Sequence, residues 1–145
     1  MAFPDRIERT VQLAQPPGAV WSALTTAEGL GAWFGDGADI DLRPGGAAQL
    51  RWDGGFTADL CVERVEEPVV FAFTWRLHGL PADDPRRTYV EFTLEPTDAG
   101  TRLTVVESGF AQLPLPDRAA PYEANTEGWD RELGELVAYL NQATA

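Results

Sequence analysis

Ile7, Arg9, Val11 and Leu13 fall on one side of a period-two pattern and Glu8, Thr10 and Gln12 on the other, which predicts a strand. Pro16-Pro17-Gly18 ends it, and Pro17 suits the first turn of a helix. Val20, Trp21 and Leu24 then recur at helical spacing. Thr25-Thr26 breaks or re-caps that helix, and Ala27 to Leu30 forms another turn or two before Trp33 and Phe34. Beyond Gly37 the period returns to two. Short alternating segments run from Asp39 to Leu42, Ala48 to Trp52, Phe56 to Val62, Phe71 to Leu77, Val90 to Leu94 and Leu103 to Glu107. Pro44-Gly45-Gly46, Asp53-Gly54-Gly55, Glu67-Pro68, the polar loop from Gly79 to Arg87 and the turn from Pro96 to Gly100 separate them. From about Asp117 the period becomes that of a helix. Tyr122, Asn125 or Thr126, Trp129, Leu133, Leu136, Val137 and Leu140 form one stripe on a helix of roughly five or more turns. Gly128 interrupts that stripe at a cost of up to about 1 kcal/mol.

The predicted order is strand, two short helices, about six strands and one long helix. No crossover helices separate the middle strands, so the sheet is expected to be antiparallel. Its apolar face needs a cover, and only the C-terminal helix is long enough. The class is α+β. The 145 residues suit a single domain, taken as 1–145, with no internal repeat.

Charge narrows the partners. The chain has 23 acids against 11 strong bases, a formal charge of -12. Such a surface repels phosphates and anionic membranes, so nucleic acid is not expected as a partner. No segment reaches the roughly 20 apolar residues of a membrane span, and the N-terminus has no apolar signal run. Cys61 is the sole cysteine, which excludes an intrachain disulfide and fits a reducing, cytoplasmic setting. No clustered metal motif is present, and no cofactor or metal is expected.

Several landmarks occur in a shared order. They are Ala19-Val20-Trp21-Ser22-Ala23-Leu24-Thr25-Thr26, Trp33-Phe34, Arg43-Pro44-Gly45-Gly46, Phe71-Ala72-Phe73-Thr74-Trp75, Gly100-Thr101-Arg102-Leu103, Gly109-Phe110 and Gly128-Trp129. Together they resemble the START-like (SRPBCC) superfamily, in the AHSA-like branch named after activators of the heat-shock-90 chaperone ATPase. The resemblance runs from about Ile7 to Leu140. It implies a helix-grip fold, a curved seven-stranded antiparallel sheet around the C-terminal helix, often with a cavity between them. It implies no single activity, because members bind lipids, hormones or polyketides and a few catalyse.

Glu107 shares the parity of Leu103 and Val105, so an acid falls on the face that should be buried. The family topology implies that the first and last strands are neighbours. Arg9, also a charge in an apolar series, would then pair with Glu107 toward the helix. Alternatives are a structural ion pair, or a bulge after Val105 that turns Glu107 outward. The aromatic residues Trp52, Phe56, Phe73, Trp75, Phe92 and Trp129 suit either an apolar pocket or a solid core. Trp75 and Trp129 stand out, because a buried indole N–H needs an acceptor. Ala58 has the inward parity of Leu60, and Tyr122, Asn125 and Leu133 lie on the helix stripe. These twelve residues form the candidate cavity lining. His78 has no recognisable nucleophile or acid partner, and Asp83-Asp84 reads as a solvated loop.

The leading expectation is non-enzymatic binding of a small, mostly apolar or aromatic molecule between sheet and helix. The alternatives are a cyclase, dehydratase or hydrolase using the same cavity, and a protein-interaction module such as a chaperone cofactor, a stress-response protein or a homodimer.

Overall fold

Period-two segments with one apolar face hide that face only when they pair into a sheet and something covers it. The structure, a computed structural model, describes residues 6–77, 80–81 and 83–143. The chain runs β1 (Arg6–Leu13), α1 (Pro17–Thr25), α2 (Ala27–Trp33), β2 (Gly37–Ile40), β3 (Ala47–Arg51), β4 (Thr57–Glu66), β5 (Val70–Arg76), β6 (Arg87–Thr97), β7 (Gly100–Ser108), a 3-10 turn (Phe110–Gln112) and α3 (Leu115–Ala143). The strands form one 7-stranded sheet in the order β1-β7-β6-β5-β4-β3-β2. Every pairing is antiparallel. This is the expected α+β helix-grip architecture.

Local chemistry explains the short helices. Pro17 opens α1. The Thr26 hydroxyl accepts from the Gly29 N–H at 3.0 Å and caps α2. The Trp33 indole donates to the Ala23 carbonyl at 2.7 Å, which ties α2 back onto α1. On α3, Trp129, Leu133, Leu136 and Leu140 are buried in one cluster with Leu50, Phe71, Phe73, Phe92 and Leu103 of the sheet, and Val137 packs against it.

Three boundaries differ from expectation. β2 starts at Gly37, because its register sets Ala38 opposite Leu50, and the chain is already turning by Asp41. Phe56 precedes β4 and is 56% exposed, since the Asp53-Gly54-Gly55 turn still holds it. α3 begins at Leu115 and continues through Pro121. His78 and Gly79 lie outside the described residues.

Candidate ligand site

Glu107 does not turn outward. The β7 register is continuous with both neighbours, placing Glu107 opposite Ile7 on one side and Val90 on the other. Its side chain is buried, at 0% exposure. Arg9 is not its partner. Arg9 sits opposite Val105, and its guanidinium reaches Asp130 of α3 at 2.8 Å at a solvent-exposed edge. The expected Arg9–Glu107 pair is therefore corrected. The long arginine side chain escapes to water, where its charge costs least.

Neutral donors surround the Glu107 carboxylate instead. Trp75 Nε1 donates to Oε2 at 2.8 Å, and Thr88 Oγ1 to the same oxygen at 2.5 Å. Trp129 Nε1 donates to Oε1 at 2.9 Å, and Asn125 Nδ2 lies 3.0 Å from both oxygens. Indole and amide N–H groups can only donate, so together they demand an acceptor with free lone pairs. The elements make this possible. Trp75 and Thr88 are cross-strand partners on β5 and β6, and Asn125 and Trp129 are four residues apart on one face of α3. Glu107 thus bolts three strands to the covering helix.

Beside this cluster a cleft of about 900 Å³ opens between the sheet and α3. Phe34, Trp52, Phe56, Trp75, Leu77, Leu80 and Trp129 supply its apolar lining, and Ala58, Ala124 and Gly128 leave room. Thr57, Asp59, Arg76, Arg87, Asn125, Glu127, Arg131 and Glu132 add polar groups. Phe34 lies 5.8 Å from Trp75 and 5.5 Å from Trp129, ring centre to ring centre, and those two indoles are 5.8 Å apart. A continuous aromatic surface results.

Residues 14–141 match the model of the family described as "Activator of Hsp90 ATPase homolog 1-like protein". The chain belongs to that family. Among solved structures, this AHSA1-like chain is similar to protein MLL2253 from Mesorhizobium loti, with 30% identity and a TM-score of 0.80 over 94% of this chain and 97% of that one. DynU16, from the dynemicin biosynthetic locus, is 25% identical with a TM-score of 0.80; the match covers 97% of this chain but 48% of that one. The Aha1 dimer from Colwellia psychrerythraea shares the fold at 22% identity, with a TM-score of 0.73 over 93% of this chain and 95% of that one. No curated protein is detectably similar in sequence. The family is named for activation of another protein's ATPase, so the name assigns no chemistry to this fold itself.

The structure brings six of the twelve candidates, Trp52, Phe56, Ala58, Trp75, Asn125 and Trp129, to the cleft of this AHSA1-like domain. Glu107 lies behind the indoles. Phe73, Phe92 and Leu133 belong to the core beneath, with Phe73 5.2 Å from Trp75 and Phe92 5.8 Å from Trp129, ring centre to ring centre. Tyr122 packs edge-on against Phe110 and donates to the Arg6 carbonyl at 3.4 Å, away from the cleft. Arg9 is also outside the lining. Sequence reasoning missed Thr88 and Glu132. Both carried the signal that flagged Glu107, since Thr88 shares the parity of Val90 and Phe92, and Glu132 interrupts the stripe between Trp129 and Leu133.

Glu132 is buried at 6% exposure, with Arg131 Nε 3.5 Å from Oε1 and Oε2 lacking a donor. Burial, followed by the neighbouring Glu135 carboxyl, pushes its carboxyl up to about 7. A carboxyl raised in the folded state binds more protons there than in the unfolded state, so its contribution to stability falls as pH rises from about 4.5 to about 7. Glu132→Gln should therefore gain stability over the parent at pH 8 relative to pH 5, by at most about 3 kcal/mol. Urea melts of both proteins at the two pH values check this, and an unchanged difference would refute it.

Two other reactive groups are unremarkable. Burial, then Glu63, pushes the exposed Cys61 thiol up, away from the thiolate form. Hydrogen bonds from Arg86 hold Asp84 down at about 2. Among the described residues no group of three or more His, Cys, Asp or Glu side chains is arranged to hold a metal ion, and no helix is long and apolar enough to cross a membrane.

Proposed function

We propose that this AHSA1-like domain binds a small, mostly apolar or aromatic molecule in the cleft between its sheet and α3, without converting it. The observation that carries the reading is the volume of about 900 Å³ beside a continuous aromatic wall. That is the size and lining of sites that enclose drug-sized molecules. The Glu107 carboxylate supports binding over turnover, because four protein donors already occupy it and none of its lone pairs is offered to a reacting group.

Ala58 tests the reading. It lines the cleft and is only partly buried, so a larger side chain there projects into open space. Ala58→Phe should abolish binding of an apolar probe, read by calorimetry and tryptophan quenching. It should change stability by less than the roughly 1–3 kcal/mol that overpacking costs in a filled core. A sharply destabilised variant, with no binding by sterols, fatty acids or aromatic polyketides, would leave a second reading ahead. That reading is recognition of a protein partner, favoured by the family name. The dimer in the Colwellia relative makes sedimentation of the free chain the companion measurement.

A further inference from the structure

We propose that the molecule taken by the cleft is an organic cation, an apolar body carrying one alkylammonium group, and that the buried carboxylate of Glu107 selects it through the indoles of Trp75 and Trp129. The inference rests on the ligand-binding reading above and names the class of ligand.

Both oxygens of Glu107 serve only as acceptors, the role of a carboxylate, and no cationic side chain of the described residues faces them. Its partners are two indoles, an amide and a hydroxyl. Among the described residues no arginine lies within ion-pair reach of it. Dipoles solvate an anion but do not neutralise it, so its field reaches the indoles that bond it and the cleft they border. Around the rim both signs occur, Asp59, Glu127 and Glu132 beside Arg76, Arg87 and Arg131, with Arg131 3.5 Å from Glu132. Glu107, behind the indoles, has no such cationic neighbour among the described residues, and the chain as a whole carries -12.

The indoles transmit that preference. Both turn their N–H edge to Glu107; Trp75 lines the cleft as a partly exposed ring, and Trp129, 2% exposed, packs against it at 5.8 Å. A π face is negative and attracts a cation, and tryptophan does so best among the aromatic side chains. Donation of both N–H groups to an anion makes the rings richer still in electrons. A quaternary ammonium suits this wall because, with no N–H, it sheds water easily and needs no hydrogen-bond acceptor.

An anionic ligand is the natural rival, given Arg76 and Arg87. These two are directly opposite each other across β5 and β6. Arg76 alternates with Trp75 and Arg87 with Thr88, so both reach the rim of the cleft rather than the indole wall. Arg87 Nη1 is turned toward the carbonyl oxygens of Asp84 and Arg86.

The test compares benzyltrimethylammonium, its uncharged carbon analogue neopentylbenzene, and phenylacetate, titrated into the native protein at fixed ionic strength with tryptophan emission as the readout. The cation should bind about tenfold or more tightly than the carbon analogue. Glu107→Gln should reduce that preference, read as the ratio of the two affinities in the same variant, to about threefold or less. Trp75→Phe, which keeps a ring on a partly exposed wall, should also reduce it, and decides the matter if Glu107→Gln does not fold. Equal binding of cation and carbon analogue overturns the proposal while the apolar cleft stands. Tightest binding by phenylacetate also overturns it. No binding by any of the three overturns both this proposal and the ligand-binding reading.

Discussion

Glu107→Leu is expected to lower the unfolding free energy by about 3 kcal/mol or more, although a leucine is the more usual occupant of a buried strand position. The substitution leaves the Trp75 and Trp129 N–H groups without an acceptor, in a site too closed for water to replace it. Each unsatisfied buried donor costs about 1–3 kcal/mol. The Thr88 hydroxyl can rotate and the partly exposed Asn125 amide can turn toward solvent, so the indoles dominate the loss. Relief from burying the carboxylate offsets only part of it. Arg9→Ala is the informative control. Its pair with Asp130 is exposed on both sides and should be worth under about 1 kcal/mol. Urea denaturation of the two single variants and the double variant should show no coupling between positions 9 and 107. A loss at Glu107 no larger than that at Arg9 would remove the carboxylate from its place at the centre of the fold.

Gly100→Ala and Gly128→Ala should move stability in opposite directions. Gly100 closes the turn between β6 and β7 at a φ of 149°, a conformation that other residues enter only at a cost of about 1–3 kcal/mol. A Cβ there would stand 2.2 Å from the Leu13 carbonyl oxygen and 2.7 Å from the Ala14 carbonyl carbon. Both are backbone atoms, so the end of β1 would have to move. A loss of about 3 kcal/mol or more is expected, a drop of about 10 °C or more in melting temperature. Gly128 lies inside α3 beside the cleft, and a Cβ there would meet nothing within 4 Å. Alanine at that position should gain up to about 1 kcal/mol by restricting the unfolded chain and favouring the helix. Melting curves of both variants decide the matter, and a tolerated Gly100→Ala would show that the end of β1 is free to yield.

The chain's hydrophobic periods alone determined which segments are strands, which stripe of α3 is buried and that one sheet must be covered by one helix. These are local properties, because a period of two or 3.6 assigns each side chain to a face before any partner is known. Thr25-Thr26 announced the break between α1 and α2 for the same reason, since a hydroxyl cap acts within its own turn. Parity also put Glu107 on the inner face. What it could not supply was the partner. Arg9 and Glu107 match in pattern, yet the β1–β7 register sets Arg9 opposite Val105 and the arginine reaches out to Asp130. The donors to Glu107 come from β5, β6 and α3, up to 32 residues away in the chain. Likewise Phe73, Phe92 and Leu133 fit an apolar lining in sequence but lie one layer beneath it. Depth is set by how closely the helix settles on the sheet, and only the assembled tertiary packing decides that distance.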